Sequence, residues 1–108
     1  MLSLVTKQTI RDAVTEAVST ESIYLFGSQA QGNARKDSDI DLAVILTAGG
    51  FMTYQDRVGA RVLLSRQLKA VKAEYDVDLI VYTKDEWKQL QSSDSSFIRA
   101  IKNGEKLA

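Results

Sequence analysis

The run Ile23-Tyr24-Leu25-Phe26 stops at Gly27-Ser28, and ten residues later Asp39-Ile40-Asp41 opens a second run, Leu42-Ala43-Val44-Ile45-Leu46. The first run is rich in β-branched and aromatic residues, and the second alternates charged and apolar residues before turning fully apolar, so both read as strands. Successive side chains of a strand point to opposite faces, which puts Asp39 and Asp41 on one side and Ile40 and Leu42 on the other. The two acidic Cα atoms then lie roughly 6.6 Å apart. Carboxylates so placed can converge on divalent cations about 3.5 to 4 Å from each other, the spacing of two-metal phosphoryl chemistry. Without a cation the two like charges raise a pKa, so the pair is hard to explain as a purely structural device.

Helical patterns flank these strands. Ile10, Ala13, Val14, Ala17 and Val18 recur at helical spacing opposite Arg11, Asp12, Thr15 and Glu16, which predicts a helix over residues 4–19. Thr47-Ala48-Gly49-Gly50 breaks the second strand, and Phe51, Met52 and Tyr54 follow in a loop. Val58, Val62, Leu64, Leu68, Val71 and Tyr75 then mark a long amphipathic helix over 55–75, with Arg57, Arg61, Arg66, Lys69 and Lys72 between them. Residues 77–82 read as a third strand containing Asp78, with Asp76 at its start assigned to solvent. Thr83 with Glu86 forms a capping box that starts a helix running to Gln91. After the polar break 92–96, Phe97, Ile98 and Ile101 mark one side of a last helix, read as core, that ends at Gly104, where a left-handed closing residue is expected. Helices alternating with strands predict an α/β or α+β domain, a mixed sheet flanked by helices, with residues 1–108 forming a single unit. If the third strand lies beside the second and Asp78 faces the same way, it joins Asp39 and Asp41 in one acidic cluster.

Composition narrows the chemistry. The 108 residues carry fourteen basic and fourteen acidic side chains, a balance that argues against non-specific binding to nucleic acid. With no histidine and no cysteine, thiolate metal sites are excluded and acid-base work falls mainly to carboxylates. The opening Met1-Leu2-Ser3-Leu4-Val5-Thr6-Lys7 has neither a long apolar stretch nor a basic prefix, so a cytoplasmic protein with no membrane span is expected. A lone Asp-x-Asp is common in solvated turns. Here it opens an apolar strand, follows a strand ending in Gly-Ser, and is matched by a later acid. Gly27, lacking a side chain, lets backbone N–H groups approach a phosphate, and Ser28 offers a hydroxyl and caps a short turn to Gln31 closed by Gly32. Arg35 and Lys36 are candidates for phosphate contact, though charges in a polar loop are more often simply hydrated.

Taken together, Gly27-Ser28, the ten-residue spacer, Asp39 and Asp41 flanking Ile40, and Asp78 resemble the nucleotidyltransferase superfamily shared with DNA polymerase β. More narrowly, the chain is similar to the minimal nucleotidyltransferases (MNT) encoded beside HEPN-domain toxins, the likeness spanning Ser22 to about Thr83 with a weaker echo in Phe97 to Gly104. The resemblance implies a nucleotidyltransferase fold, ATP as substrate with two Mg²⁺ ions, and transfer of AMP to a tyrosine hydroxyl of a HEPN toxin, with which the chain forms a hetero-oligomer as antitoxin. It assigns Asp39, Asp41 and Asp78 as catalytic and metal-binding residues and Gly27 and Ser28 as nucleotide-binding residues. Gln31 stands where many relatives have arginine, which removes a positive charge near the nucleotide or partner. Two alternatives stay open: a non-catalytic antitoxin that neutralises its partner by complex formation, and an enzyme acting on a small molecule of the aminoglycoside type.

Overall fold

A computed structural model describes residues 2–27, 39–47, 54–93 and 95–108. The predicted turn at Ser28 to Gly32, with Gln31, Arg35 and Lys36, and the loop residues Ala48 to Met52 lie outside them. Among the described residues the order of elements is α1 (Leu4–Ala17), β1 (Thr20–Phe26), β2 (Ile40–Leu46), α2 (Tyr54–Gln67), α3 (Lys69–Lys72), β3 (Val77–Thr83), α4 (Lys84–Gln91), α5 (Ser96–Lys102) and β4 (Glu105–Lys106). The strands form one mixed sheet in the order β3-β2-β1-β4, with β2 antiparallel to β1 and parallel to β3, as the α+β reading requires.

Each face of the sheet buries a different side of the same strands. Ile23 and Leu25 of β1, Ile40, Leu42, Val44 and Leu46 of β2, and Leu79 and Val81 of β3 pack with Ile10 and Val14 of α1, Leu64 of α2 and Val71 of α3. The opposite face is smaller, with Phe26, Ala43 and Ile45 packed against Trp87 of α4 and Ile98 and Ile101 of α5. Being covered on both faces, β2 is the central strand, and all of its residues except Asp41 are fully buried, which is why its sequence reads as a continuous apolar run.

Local signals set most element ends. Ser3 caps α1 by accepting from the Thr6 N–H, and Thr83 and Glu86 form the predicted capping box of α4, each side chain accepting the other's backbone N–H. The long predicted helix is two pieces, α2 and α3, separated at Leu68, whose φ and ψ of −88° and 10° leave the helical well. Its buried stripe also differs from the predicted one. Ala60, Leu64, Leu68 and Val71 face the core, whereas Val58 and Val62 are 42% and 44% exposed. Phe97 likewise is 44% exposed while Ile98 and Ile101 are buried.

Gly104 serves a purpose other than the predicted one. Among the described residues only Gly27 has a positive φ, so Gly104 does not close α5 in the left-handed conformation. A Cβ there would overlap the Leu25 carbonyl oxygen and press on Phe26, so glycine allows the chain to run tightly past β1. That approach lets the short strand β4, which periodicity did not reveal, pair with Tyr24 and Leu25. Lys7 of α1 forms an ion pair of 2.8 Å with Glu105 on the same strand.

Candidate active site

The register of the sheet assembles the site. Phe26, the last residue of β1, lies opposite Asp41 of β2, and Asp41 lies opposite Asp78 of β3, so one row across three strands carries Phe26, Asp41 and Asp78. Neighbouring strands are about 4.8 Å apart and directly paired residues share a face, which brings the Asp41 and Asp78 side chains together. The facing of Asp78, which strand parity alone leaves open, is thus fixed by the parallel pairing. Asp39 immediately precedes β2, two residues from Asp41, and the adjacent Ile40 N–H donates to the Asp76 carbonyl, locking the start of β2 to the start of β3. Asp76 and Asp78 are exposed, Asp39 is exposed, and Asp41 is partly buried between them.

The electrostatics follow from this crowding. Burial pushes the Asp41 carboxyl above its ordinary range, and the charge of Asp78, a hydrogen bond with Asp78 and the charge of Asp39 push it further in the same direction. Asp78 and Asp39 thus both act on Asp41. A cation held there would offset that repulsion, and a set composed only of carboxylate oxygens suits a hard ion such as Mg²⁺. Among the described residues no group of three or more acidic side chains is arranged to hold a metal ion. Mg²⁺ does not need such a group, because it keeps several waters and is usually bound through one or two carboxylates plus substrate phosphates.

Gly27 closes the row. Its φ of +75° is a conformation that side-chain-bearing residues rarely adopt, and a Cβ at this position would overlap the Asp41 carboxylate. Glycine is required on both counts, and the backbone turns away from β1 directly beside the acids. Ser28, the other predicted nucleotide-binding residue, lies outside the described residues.

Two neighbours of the acids escaped the sequence reading. Phe97 packs edge-on, with ring centroids 5.8 Å apart, against Phe26, the residue paired with Asp41. On the other side of Asp78, beside β3, lies a cavity of about 310 Å³ bounded by Val58, Arg61, Val62 and Lys72. Valines four residues apart on a helix are the available signal, but spacing cannot tell a buried stripe from an exposed one. Farther along, Arg57 of α2 pairs with Glu86 of α4, tying the two helices across the end of β3.

Known proteins share this fold. A crystal structure of a toxin-antitoxin with AMP-PNP matches with a TM-score of 0.62 and 26% identity, over 94% of this chain and 72% of that one. A crystal structure of the toxin-antitoxin MntA-HpeT carrying two aspartate-to-glutamate substitutions matches with a TM-score of 0.60 and 25% identity, again over 94% and 72%. No curated protein matches the chain. The model of the family described as polymerase beta, nucleotidyltransferase matches residues 8–93, which include Gly27, Asp39, Asp41 and Asp78. With four-fifths of its length and the whole acidic row inside that match, the chain belongs to the polymerase beta nucleotidyltransferase family.

Proposed function

We propose that this protein is a Mg²⁺-dependent adenylyltransferase that moves AMP from ATP to a hydroxyl, a tyrosine of a partner HEPN-domain toxin, and so acts as a cytoplasmic antitoxin in a hetero-oligomer. The observation that carries the reading is the row of Asp41 opposite Asp78, with Asp39 at its start, in a member of a nucleotidyltransferase family. The match to a toxin-antitoxin with AMP-PNP, an ATP analogue, supports both the nucleotide and the kind of partner.

In this mechanism Asp39, Asp41 and Asp78 would hold two Mg²⁺ ions, which would supply positive charge to orient the triphosphate and offset charge on the departing oxygens. Gly27 leaves its backbone open to the β- and γ-phosphates, and Ser28 adds a hydroxyl to the same cradle. The acceptor oxygen attacks the α-phosphorus, the bond from that phosphorus to the bridging oxygen breaks, and pyrophosphate leaves. Asp78, exposed at the edge of the row, takes the proton of the attacking hydroxyl. The aligned acids act by position and charge, with no covalent intermediate on the protein.

The test is mass spectrometry of the neighbouring protein after co-expression with this chain or with Asp39→Asn. A gain of one or more AMP masses on a tyrosine, lost with Asp39→Asn, is the expected result. Toxin neutralised to the same extent by Asp39→Asn, with no added mass in either case, would replace transfer by simple complex formation.

A further inference from the structure

At the end of the sheet remote from the acids, α4, the first half of β1 and β4 enclose a second cavity of about 290 Å³. Its lining combines Lys84 and Lys88 of α4, Lys106 of β4 and Glu21, with Ser22 and Tyr24 of β1 among the floor residues. Lys84 and Lys88 are one helical turn apart on one side of α4, and Lys106 pairs directly with Tyr24 and so shares its face of the sheet. Three ammonium groups from two separate elements therefore border one hollow. Among the described residues none of the three forms an ion pair.

Ser22 supplies an independent observation. It is 5% exposed, borders the cavity, and its hydroxyl has no hydrogen-bond partner among the described residues. That hydroxyl is not sealed from the hollow, so it can donate to a group held there. Its position in β1 is also irregular, because the pairing with β2 shifts register between Thr20 and Ser22. The floor is stiff. Trp87 is stacked with Tyr82 at a ring separation of 6.1 Å and packs on Tyr24 at 5.5 Å.

The charges specify the class of ligand. Three lysines against Glu21 leave two positive charges, which one dianionic group neutralises. A phosphate carries up to two charges and several acceptor oxygens, so it can take ammonium donors and the Ser22 hydroxyl at once. A single carboxylate carries one charge and would neutralise only half of that excess. We infer that the cavity formed by Ser22, Lys84, Lys88 and Lys106 is a binding site for a phosphate group of a small molecule, separate from the acidic row. Ser22 lies four residues before Phe26, about 13 Å along the strand from the acids, so the inference stands whether or not the acids transfer nucleotides.

The experiment is a titration of the ¹⁵N-labelled full chain, in EDTA so that the acidic row stays metal-free, with inorganic phosphate, pyrophosphate and ATP at constant ionic strength. Saturable shifts at Ser22, Tyr24 and the Trp87 indole N–H are expected. Replacing Lys84, Lys88 or Lys106 with alanine weakens binding roughly three- to fivefold each, and Ser22→Ala weakens it about fivefold. Because the lysines are exposed, their variants keep the fold, and unchanged shifts elsewhere in the spectrum confirm it. The inference is overturned if sodium chloride gives the same shifts, if shifts arise only at Gly27, Asp41 and Asp78, or if the lysine variants bind as well as the parent. A short RNA that binds through these residues more tightly than pyrophosphate also overturns it, in favour of a polynucleotide surface.

Discussion

Asp78→Asn should make the metal-free protein more stable while abolishing transfer. Asp41 and Asp78 face each other on adjacent strands about 4.8 Å apart. Two unit charges at that separation repel by roughly 3.5 kcal/mol at an effective dielectric of 20 and by about 0.9 kcal/mol in water. Because Asp78 is exposed, the lower figure applies, and Asp78→Asn should raise the unfolding free energy by about 1 kcal/mol. The pH dependence has a definite sign. Asp41 has a raised pKa in the folded chain, so the folded state is penalised above that pKa, where Asp41 must stay ionised beside its neighbours. As the pH falls through that pKa the proton relieves the penalty in the parent, and the advantage of the variant shrinks. Urea unfolding in EDTA at pH 8 and at pH 4 measures both effects. A variant no more stable than the parent at pH 8, or an advantage that persists undiminished at pH 4, would show that the two carboxylates do not share one point.

Adding Mg²⁺ should stabilise the parent by about 2.7 kcal/mol at a hundred times its Kd, and Asp41→Asn should lose most of that gain in the same urea experiment. Gly27→Ala, forced into a positive φ and onto the Asp41 carboxylate, should cost roughly 1 to 3 kcal/mol and eliminate transfer, as read by thermal unfolding and by labelling of the partner from radiolabelled ATP. Thr83→Ala removes the cap of α4 and should cost about 1 kcal/mol without changing nucleotide binding. Leu64→Ala, at a fully buried position under the sheet, should cost roughly 2 to 5 kcal/mol, whereas Val62→Ala on the exposed side of the same helix should stay within about 0.5 kcal/mol.

Local chemistry made much of this molecule readable in one dimension. The strands β1, β2 and β3, the capping box at Thr83 and the glycine at the end of β1 depend on side-chain alternation, short-range hydrogen bonds and backbone sterics, all of which act between near neighbours in sequence. Asp39 and Asp41 belong to the same class, since two residues of spacing fix their common side. Strand order and register were settled only by tertiary packing. They place Asp78 opposite Asp41 rather than elsewhere on the edge strand, and that depends on which apolar faces can be buried together. The same physics explains the misread positions. Val58, Val62 and Phe97 are apolar at helical spacing, yet burial is decided by what lies across from a side chain, and nothing along a helix encodes its partner. Gly104 carries the same lesson, because the contact that demands glycine there is with Leu25, distant in sequence and adjacent only once the sheet has formed.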